Sequence, residues 1–227
     1  MRPAALVREV GSTAWALAQI VAHLVATPVV WRRRVRWGAT PDEVAATFPG
    51  DELVAEPKWG YTLGITIDAP PAQVWPWVVQ IGQGRGGFYS YELLENLVGC
   101  RITNASRIVP EWQHLDVGDE VRLHPDAPPL TVAIVDPPTA LVLSGAPAEV
   151  GTEEDYVRST WGFHVVSMGG GRSRLITRGR TEYSPAFVNR LFFGRFPMEP
   201  ITFVMNRRML LTIRDLAESG AARPSTR

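Results

Sequence analysis

The sequence predicts an α+β fold in which an antiparallel sheet packs against a long C-terminal helix. Three observations carry this. Extended, alternating segments recur at 59–68, 120–124, 130–135, 140–144, 157–167 and 172–181, and those from 120 onward are separated by prolines and glycines rather than by helices, the pattern of an antiparallel meander. After Pro200 the stretch ITFVMNRRMLLTIRDLAES repeats apolar residues at helical spacing, enough for a helix of about five turns. Residues 10–31 contain no Asp, Glu, Lys or Arg, which sets an extra N-terminal apolar helix apart from the rest.

Composition narrows the function classes. The chain has 227 residues, 23 basic against 23 acidic, so no net charge draws it to nucleic acid. Lys58 is the one lysine, and Cys100 the one cysteine, which excludes an intrachain disulfide. The expected division is an N-terminal helix over 1–37, a polar connector over 38–58, a folded domain over 59–219 and a tail over 220–227.

In chain order, residues 10–31 would span about 33 Å as a helix, enough to cross a hydrocarbon core. Arg32, Arg33, Arg34 and Arg36 follow, flanked by Trp31 and Trp37, as at a cytoplasmic membrane anchor. Ala14, Ala18, Ala22 and Ala26 form a small-residue stripe that would let helices self-associate. A helix lying flat at the interface, or packed on its own domain, fits the same residues. The expected location is the cytoplasm, with attachment to the inner face of the cell membrane as one reading. The connector holds a short helix over 41–47, with Thr40 as its cap and Glu43 at the capping-box position, stopped by Pro49-Gly50-Asp51.

The strand at 59–68 places Tyr61, Leu63, Ile65 and Ile67 opposite Thr62, Gly64 and Thr66, and a helix over 71–81 follows. In the later strands Trp161, Phe163 and Val165 oppose His164, and Leu175, Thr177 and Gly179 oppose Arg174, Ile176, Arg178 and Arg180. One sheet face is therefore apolar, to be covered by the C-terminal helix through Ile201, Val204, Met205, Leu211 and Leu216. The other is rich in arginine, with Arg122 and Arg158 added. Solvation with pairing to Glu182 or Asp155 accounts for it, as does a surface for anionic lipid headgroups. The apolar stretch 187–200 is either core or a lid beside the C-terminal helix.

The stretch most suggestive of chemistry is 81–100, IGQGRGGFYSYELLENLVGC, with four glycines around the lone charge of Arg85. Gly82, Gly84 and Gly87 match a dinucleotide-binding spacing, but they follow a helix start rather than a strand, and no acidic residue lies near position 105. A helix over 91–98, capped by Ser90, would bury Leu93, Leu94, Leu97 and Val98 and put Glu92, Glu95 and Asn96 on its other side. The candidate ligand-binding residues are Arg85, Phe88, Tyr89, Tyr91, Glu92 and Glu95, with Trp161, Phe163 and Thr177 from the sheet. Arg85 would pair a ligand oxyanion or one of the two glutamates. Glu92 and Glu95 would serve as a general acid and base if buried. His23, His114, His124 and His164 have no metal-binding spacing, so neither metal nor cofactor is expected.

The phrase IDAPPAQVW at 67–75, then VWPWVVQIGQGRGGFYSYELLENLVG at 74–99 with PEWQ and GDEV after it, resembles an uncharacterised bacterial branch of the START-like helix-grip (SRPBCC, polyketide cyclase/dehydrase and lipid transport) superfamily. The resemblance covers roughly residues 40–219. It implies a curved sheet gripping the terminal helix around a cavity for an apolar or amphipathic ligand. The leading expectation is binding or transport of a hydrophobic small molecule or lipid. A polyketide cyclase-type enzyme using Arg85 with Glu92 or Glu95, and a non-catalytic stress or regulatory module acting through protein contacts, are the alternatives.

Overall fold

The computed structural model describes residues 3–145 and 156–221, so Asp155 and most of the expected tail lie outside the described residues. The elements run α1 (Pro3–Val25), α2 (Thr27–Arg34), α3 (Pro41–Ala45), β1 (Trp59–Ile67), α4 (Pro71–Val79), α5 (Glu92–Leu97), β2 (Glu120–Val121), β3 (Leu130–Asp136), β4 (Ala140–Ser144), β5 (Val157–Gly169), β6 (Arg172–Tyr183), α6 (Phe187–Phe192) and α7 (Arg195–Ala221). The strands form one antiparallel sheet in the order β1-β6-β5-β4-β3-β2. β2 is shorter than its alternation suggests, because the Arg122 carbonyl leaves the ladder to accept the Gln83 N–H at 2.8 Å.

Register builds the inner face row by row. Tyr61 lies across Gly179 from Trp161, which meets Leu143; Leu63 lies across Thr177 from Phe163, which meets Leu141; Ile65 lies across Leu175 from Val165. Gly179 is required in the first row, since a Cβ there would stand 2.3 Å from the Tyr61 ring. α7 closes this face through Phe203, Val204, Leu210 and Ile213, all in the core. The buried stripe thus sits about one residue off the expected one. Ile201, Met205, Leu211 and Leu216 are half-buried instead, because α1, α2 and α4 also pack on α7, leaving Arg208, Asp215 and Ser219 on its exposed side. α7 also starts before Pro200, which falls inside it.

The outer face is also covered, contrary to the expectation of a solvated arginine surface. Residues 38–58 lie across it. Arg174 donates to Glu43 at 2.7 and 2.9 Å and to Thr66 Oγ1 at 3.2 Å, Arg178 donates to Asp51 at 2.7 Å and Thr62 Oγ1 at 2.8 Å, and Arg180 donates to the Val54 and Ala55 carbonyls. Phe48 stacks on His164 with centroids 4.6 Å apart and lies under the Arg178 guanidinium. His164 does face outward, but under this cover it is buried, which pulls its imidazole down to about 4; Asp51 opposes the shift and Arg178 reinforces it. Arg158 and Arg122 pair at the surface with Glu182 and Glu120.

No helix of the described chain is long and apolar enough to cross a membrane, which corrects the spanning reading of residues 10–31. That stretch breaks at Ala26, where α2 begins with a proline in its first turn. α2 turns far enough for Arg34 Nη1 to reach the His23 carbonyl at 2.8 Å, while Arg34 Nε and Nη2 donate to Glu199 of α7 at 3.0 and 2.7 Å. Arg34 is therefore a buried structural cation, unlike its neighbours Arg32, Arg33 and Arg36. Thr13 and Ala16 of α1 are buried, and His23 packs edge-on against Phe203. Residues 35–37 then pair with the free edge of β1, through Thr62 N–H to the Val35 carbonyl and Gly64 N–H to the Trp37 carbonyl, which shields that edge.

Candidate functional site

The glycine loop after α4 folds back on itself through reciprocal Gly82 and Gly87 bonds of 3.0 Å. Gly87 has a positive φ of 75° and approaches Asn104 so closely that a Cβ would sit 2.5 Å from Oδ1, which accounts for a glycine at that position. Two amides hold the loop to residues 100–113. Buried Gln80 donates to Tyr89 Oη at 2.8 Å and the Arg107 carbonyl at 3.2 Å, and accepts from the Val109 N–H and Gln113 Nε2. Asn104 Oδ1 accepts the Phe88 and Tyr89 N–H groups, and its own N–H donates to Glu92 Oε2 at 2.8 Å. The sequence motif PEWQ marks Gln113, but nothing local marks Gln80 or Asn104 as hubs.

The structure sorts the expected site residues into separate environments. Phe88 meets Trp161 edge-on at 6.2 Å, and Trp161 meets Phe163 at 4.9 Å, making an aromatic cluster between loop, sheet and α7. Trp161 Nε1 donates to Asn206 Oδ1 of α7 at 3.2 Å. Thr177 is fully buried beside this cluster and its Oγ1 makes no hydrogen bond. The Tyr61 hydroxyl faces Thr177 and Asn206, and burial raises its pKa. Tyr89 is buried under the loop, and Tyr91 lies beneath the Arg208 guanidinium with Gln19 of α1 at its hydroxyl.

Arg85 is not with the glutamates. Its Nη2 donates to the Val79 and Trp112 carbonyls at 3.1 and 2.8 Å, and its Nε is buried with no acceptor. Ser90 does not cap α5; its hydroxyl turns to the Met205 carbonyl. The faces of α5 follow the expectation only in part: Leu94 packs on the core and Asn96 is exposed, but Leu97 and Val98 are 67% and 68% exposed, while Glu95 is 4% exposed. Asn96 is tied to both polar atoms of Ile102, and this clamp sets the rotation of so short a helix more firmly than its apolar residues do. Neither Glu95 oxygen has a hydrogen-bond partner, and burial, then the Glu92 charge, pushes its carboxyl up to about 8.

On the solvent side of the loop lies a groove of about 430 Å³ lined by Gly84, Arg85, Arg101, Asn104, Arg107 and Trp112, among others. No carboxylate lines it. Arg101 and Arg107 were not singled out by the sequence reading, although the chain carries no acidic residue between Glu95 and Glu111. Among the described residues no group of three or more His, Cys, Asp or Glu side chains is placed to hold a metal ion.

The strand order, with α4 and α5 inserted between β1 and β2 and the terminal α7 laid along the inner face, decides the architecture. The chain has the helix-grip fold. No family model and no curated protein matches its sequence. Solved structures similar to it include the self-sacrificing resistance protein CalC from Micromonospora echinospora (11% identity, covering 73% of this chain and 97% of that one, TM-score 0.41). Norcoclaurine synthase from Thalictrum (14%, 72% and 96%, 0.38) and a Polyketide_cyc-like protein from Corynebacterium glutamicum (16%, 74% and 96%, 0.35) are also similar.

Proposed function

We propose that this helix-grip protein binds a hydrophobic small molecule or lipid between its sheet and α7, and that it does so while resting on the inner face of the membrane. The observation that carries the reading is an exposed apolar surface. Val7, Val10, Leu17, Val21 and Val25 follow one another along the outward side of α1, and Val29 continues on α2. Around α6, Phe187, Val188, Leu191, Phe192 and Phe196 are exposed as well, so residues 187–200 are not simply core. The two regions adjoin, because Arg195 stacks on Trp31 of α2 at 3.9 Å. Exposed apolar surface on this scale marks an interaction site. Arg32, Arg33, Arg36 and Arg190 are exposed there, and no acidic residue lies between Glu9 and Asp42 or between Glu182 and Glu199. A helix that lies in the interface with arginines at headgroup level fits this pattern.

Inside, the aromatic cluster of Phe88, Trp161 and Phe163 offers apolar contact, and the Thr177 hydroxyl is a buried polar group that the Tyr61 hydroxyl faces without completing a hydrogen bond. A ligand with one polar group would supply it. The cyclase reading draws no support from Arg85, which is held by backbone carbonyls away from Glu92 and Glu95.

The test is native mass spectrometry with lipid extraction of gently purified protein, alongside vesicle flotation. Wild type should carry a stoichiometric apolar ligand that Thr177→Val retains less well. A Phe192→Ser, Phe196→Ser variant should lose most vesicle binding while remaining folded. An empty wild-type protein that ignores vesicles would overturn the proposal.

A further inference from the structure

We propose that the groove between the glycine loop and residues 101–112 binds a tetrahedral oxyanion, a phosphate or sulfate group carried on an organic molecule. This site is separate from the sheet–α7 interior and does not rest on the reading above.

Three guanidinium groups, Arg85, Arg101 and Arg107, line one groove in which no carboxylate takes part. Their states differ in a way that suits a binding site. Arg85 is fixed by the Val79 and Trp112 carbonyls, and its buried Nε–H has no acceptor. Arg101 and Arg107 are exposed and have no ion-pair partner among the described residues. The arginines on the outer face of the sheet, by contrast, are neutralised: Arg174 and Arg178 have Glu43 and Asp51. The nearby acids lie outside the groove lining: Glu92 accepts the Asn104 N–H, and Asp119, whose charge acts on Arg85, accepts the Asp116 N–H.

The donor set selects the anion. Thr103 and Ser106 also line the groove, with exposed side chains. Three guanidiniums and two hydroxyls offer more hydrogen-bond donors than the two oxygens of a carboxylate can absorb, whereas a phosphate or sulfate presents at least three equivalent oxygens around one charge centre. The space of about 430 Å³ exceeds what the anion alone would fill, and Val109 and Trp112 supply an apolar wall, so the oxyanion is borne on a larger, partly apolar molecule. Arg101 holds a left-handed backbone, φ 51°, at the start of this segment, a conformation uncommon for arginine that sets where its side chain leaves the chain.

The experiment is isothermal titration calorimetry with inorganic phosphate and phenyl phosphate, together with flotation on phosphatidylcholine vesicles with and without phosphatidic acid. The proteins are wild type, Arg101→Gln, Arg107→Gln, the double variant, and Arg158→Gln as a control cation far from the groove. Thermal melts should be unchanged in all, since these side chains are exposed. Phenyl phosphate should bind wild type more tightly than inorganic phosphate, and each groove variant should weaken it about tenfold, as expected for loss of one charge-assisted hydrogen bond. Binding only to phosphatidic acid vesicles, lost in the double variant and kept in the control, would support the same site with a lipid headgroup as the source. Absence of binding to every probe, or equal binding by wild type and the double variant, would overturn the proposal.

Discussion

Two buried glutamates lie at similar depth in this molecule and meet opposite fates. Glu199, on α7, is 2% exposed and receives Arg34 at 2.7 Å and Arg195 at 2.6 Å. Glu95, on α5, is 4% exposed and receives nothing. The first carboxylate fastens the N-terminal helices to the domain. The second remains protonated at neutral pH because no cation or N–H offsets its desolvation. Burial alone therefore says little about a charged residue; its partners decide whether it holds the fold together or strains it.

The largest effect should come from breaking the first arrangement. Glu199→Gln leaves the Arg34 guanidinium buried without a counter-charge, and the loss of stability should be about 3–5 kcal/mol. Urea denaturation would measure it, and limited proteolysis should cut first near residues 26–34. An Arg34→Met, Glu199→Leu double variant should recover much of the loss, since it removes both charges together.

Glu95→Gln should act in the opposite direction. The folded-state pKa of Glu95 lies near 8 against an ordinary 4.5, so between those values the folded state holds a proton that the unfolded state has released. Wild-type stability should therefore fall as pH rises from about 4.5 and level off above about 8. At pH 5 the variant should match wild type, and at pH 9 it should be more stable by on the order of 2–4 kcal/mol. A difference that did not change with pH would mean that the carboxyl is solvated.

Half-buried pairs give the intermediate case. Asp51 receives Arg178 at 2.7 Å and Arg180 at 3.6 Å where residues 38–58 cross the outer face. Asp51→Asn should cost about 1–2 kcal/mol, more than an exposed pair and less than Glu199. With the Asp51 charge gone and Arg178 still present, the buried His164 imidazole should titrate lower still, measurable by proton NMR.

These contrasts explain what the sequence disclosed. The inner sheet face was readable because alternation within single strands places Leu63, Phe163 and Leu175 without knowledge of their partners. The outer face was not, since Glu43 and Asp51 lie more than a hundred residues before the arginines they meet, and Glu43 was already accounted for by its capping box. Arg34 could not be told from Arg32, Arg33 and Arg36, because only the turn at Ala26 aims it inward. For α5, apolar spacing over six residues was too weak a signal against the Asn96–Ile102 clamp. Of the expected site residues, Phe88, Trp161, Phe163 and Thr177 adjoin one another, while the groove arginines Arg101 and Arg107 were hidden by their ordinary setting in an irregular segment.

The smallest effect in this series is the most informative about ligand binding. Thr177 carries an uncharged version of the Glu95 problem, a buried hydroxyl that the Tyr61 hydroxyl faces without meeting hydrogen-bond geometry. Thr177→Val keeps the shape and removes the polar atom, so the ligand-free protein should gain up to about 1 kcal/mol. If a ligand completes that hydroxyl, stripped protein and ligand-loaded protein must respond with opposite signs, because the variant then deletes a bond rather than an orphan. Thermal melts of both forms before and after lipid extraction decide it. The same small sign in both would place the hydroxyl outside any ligand contact and leave Trp161 and Phe163 as ordinary core.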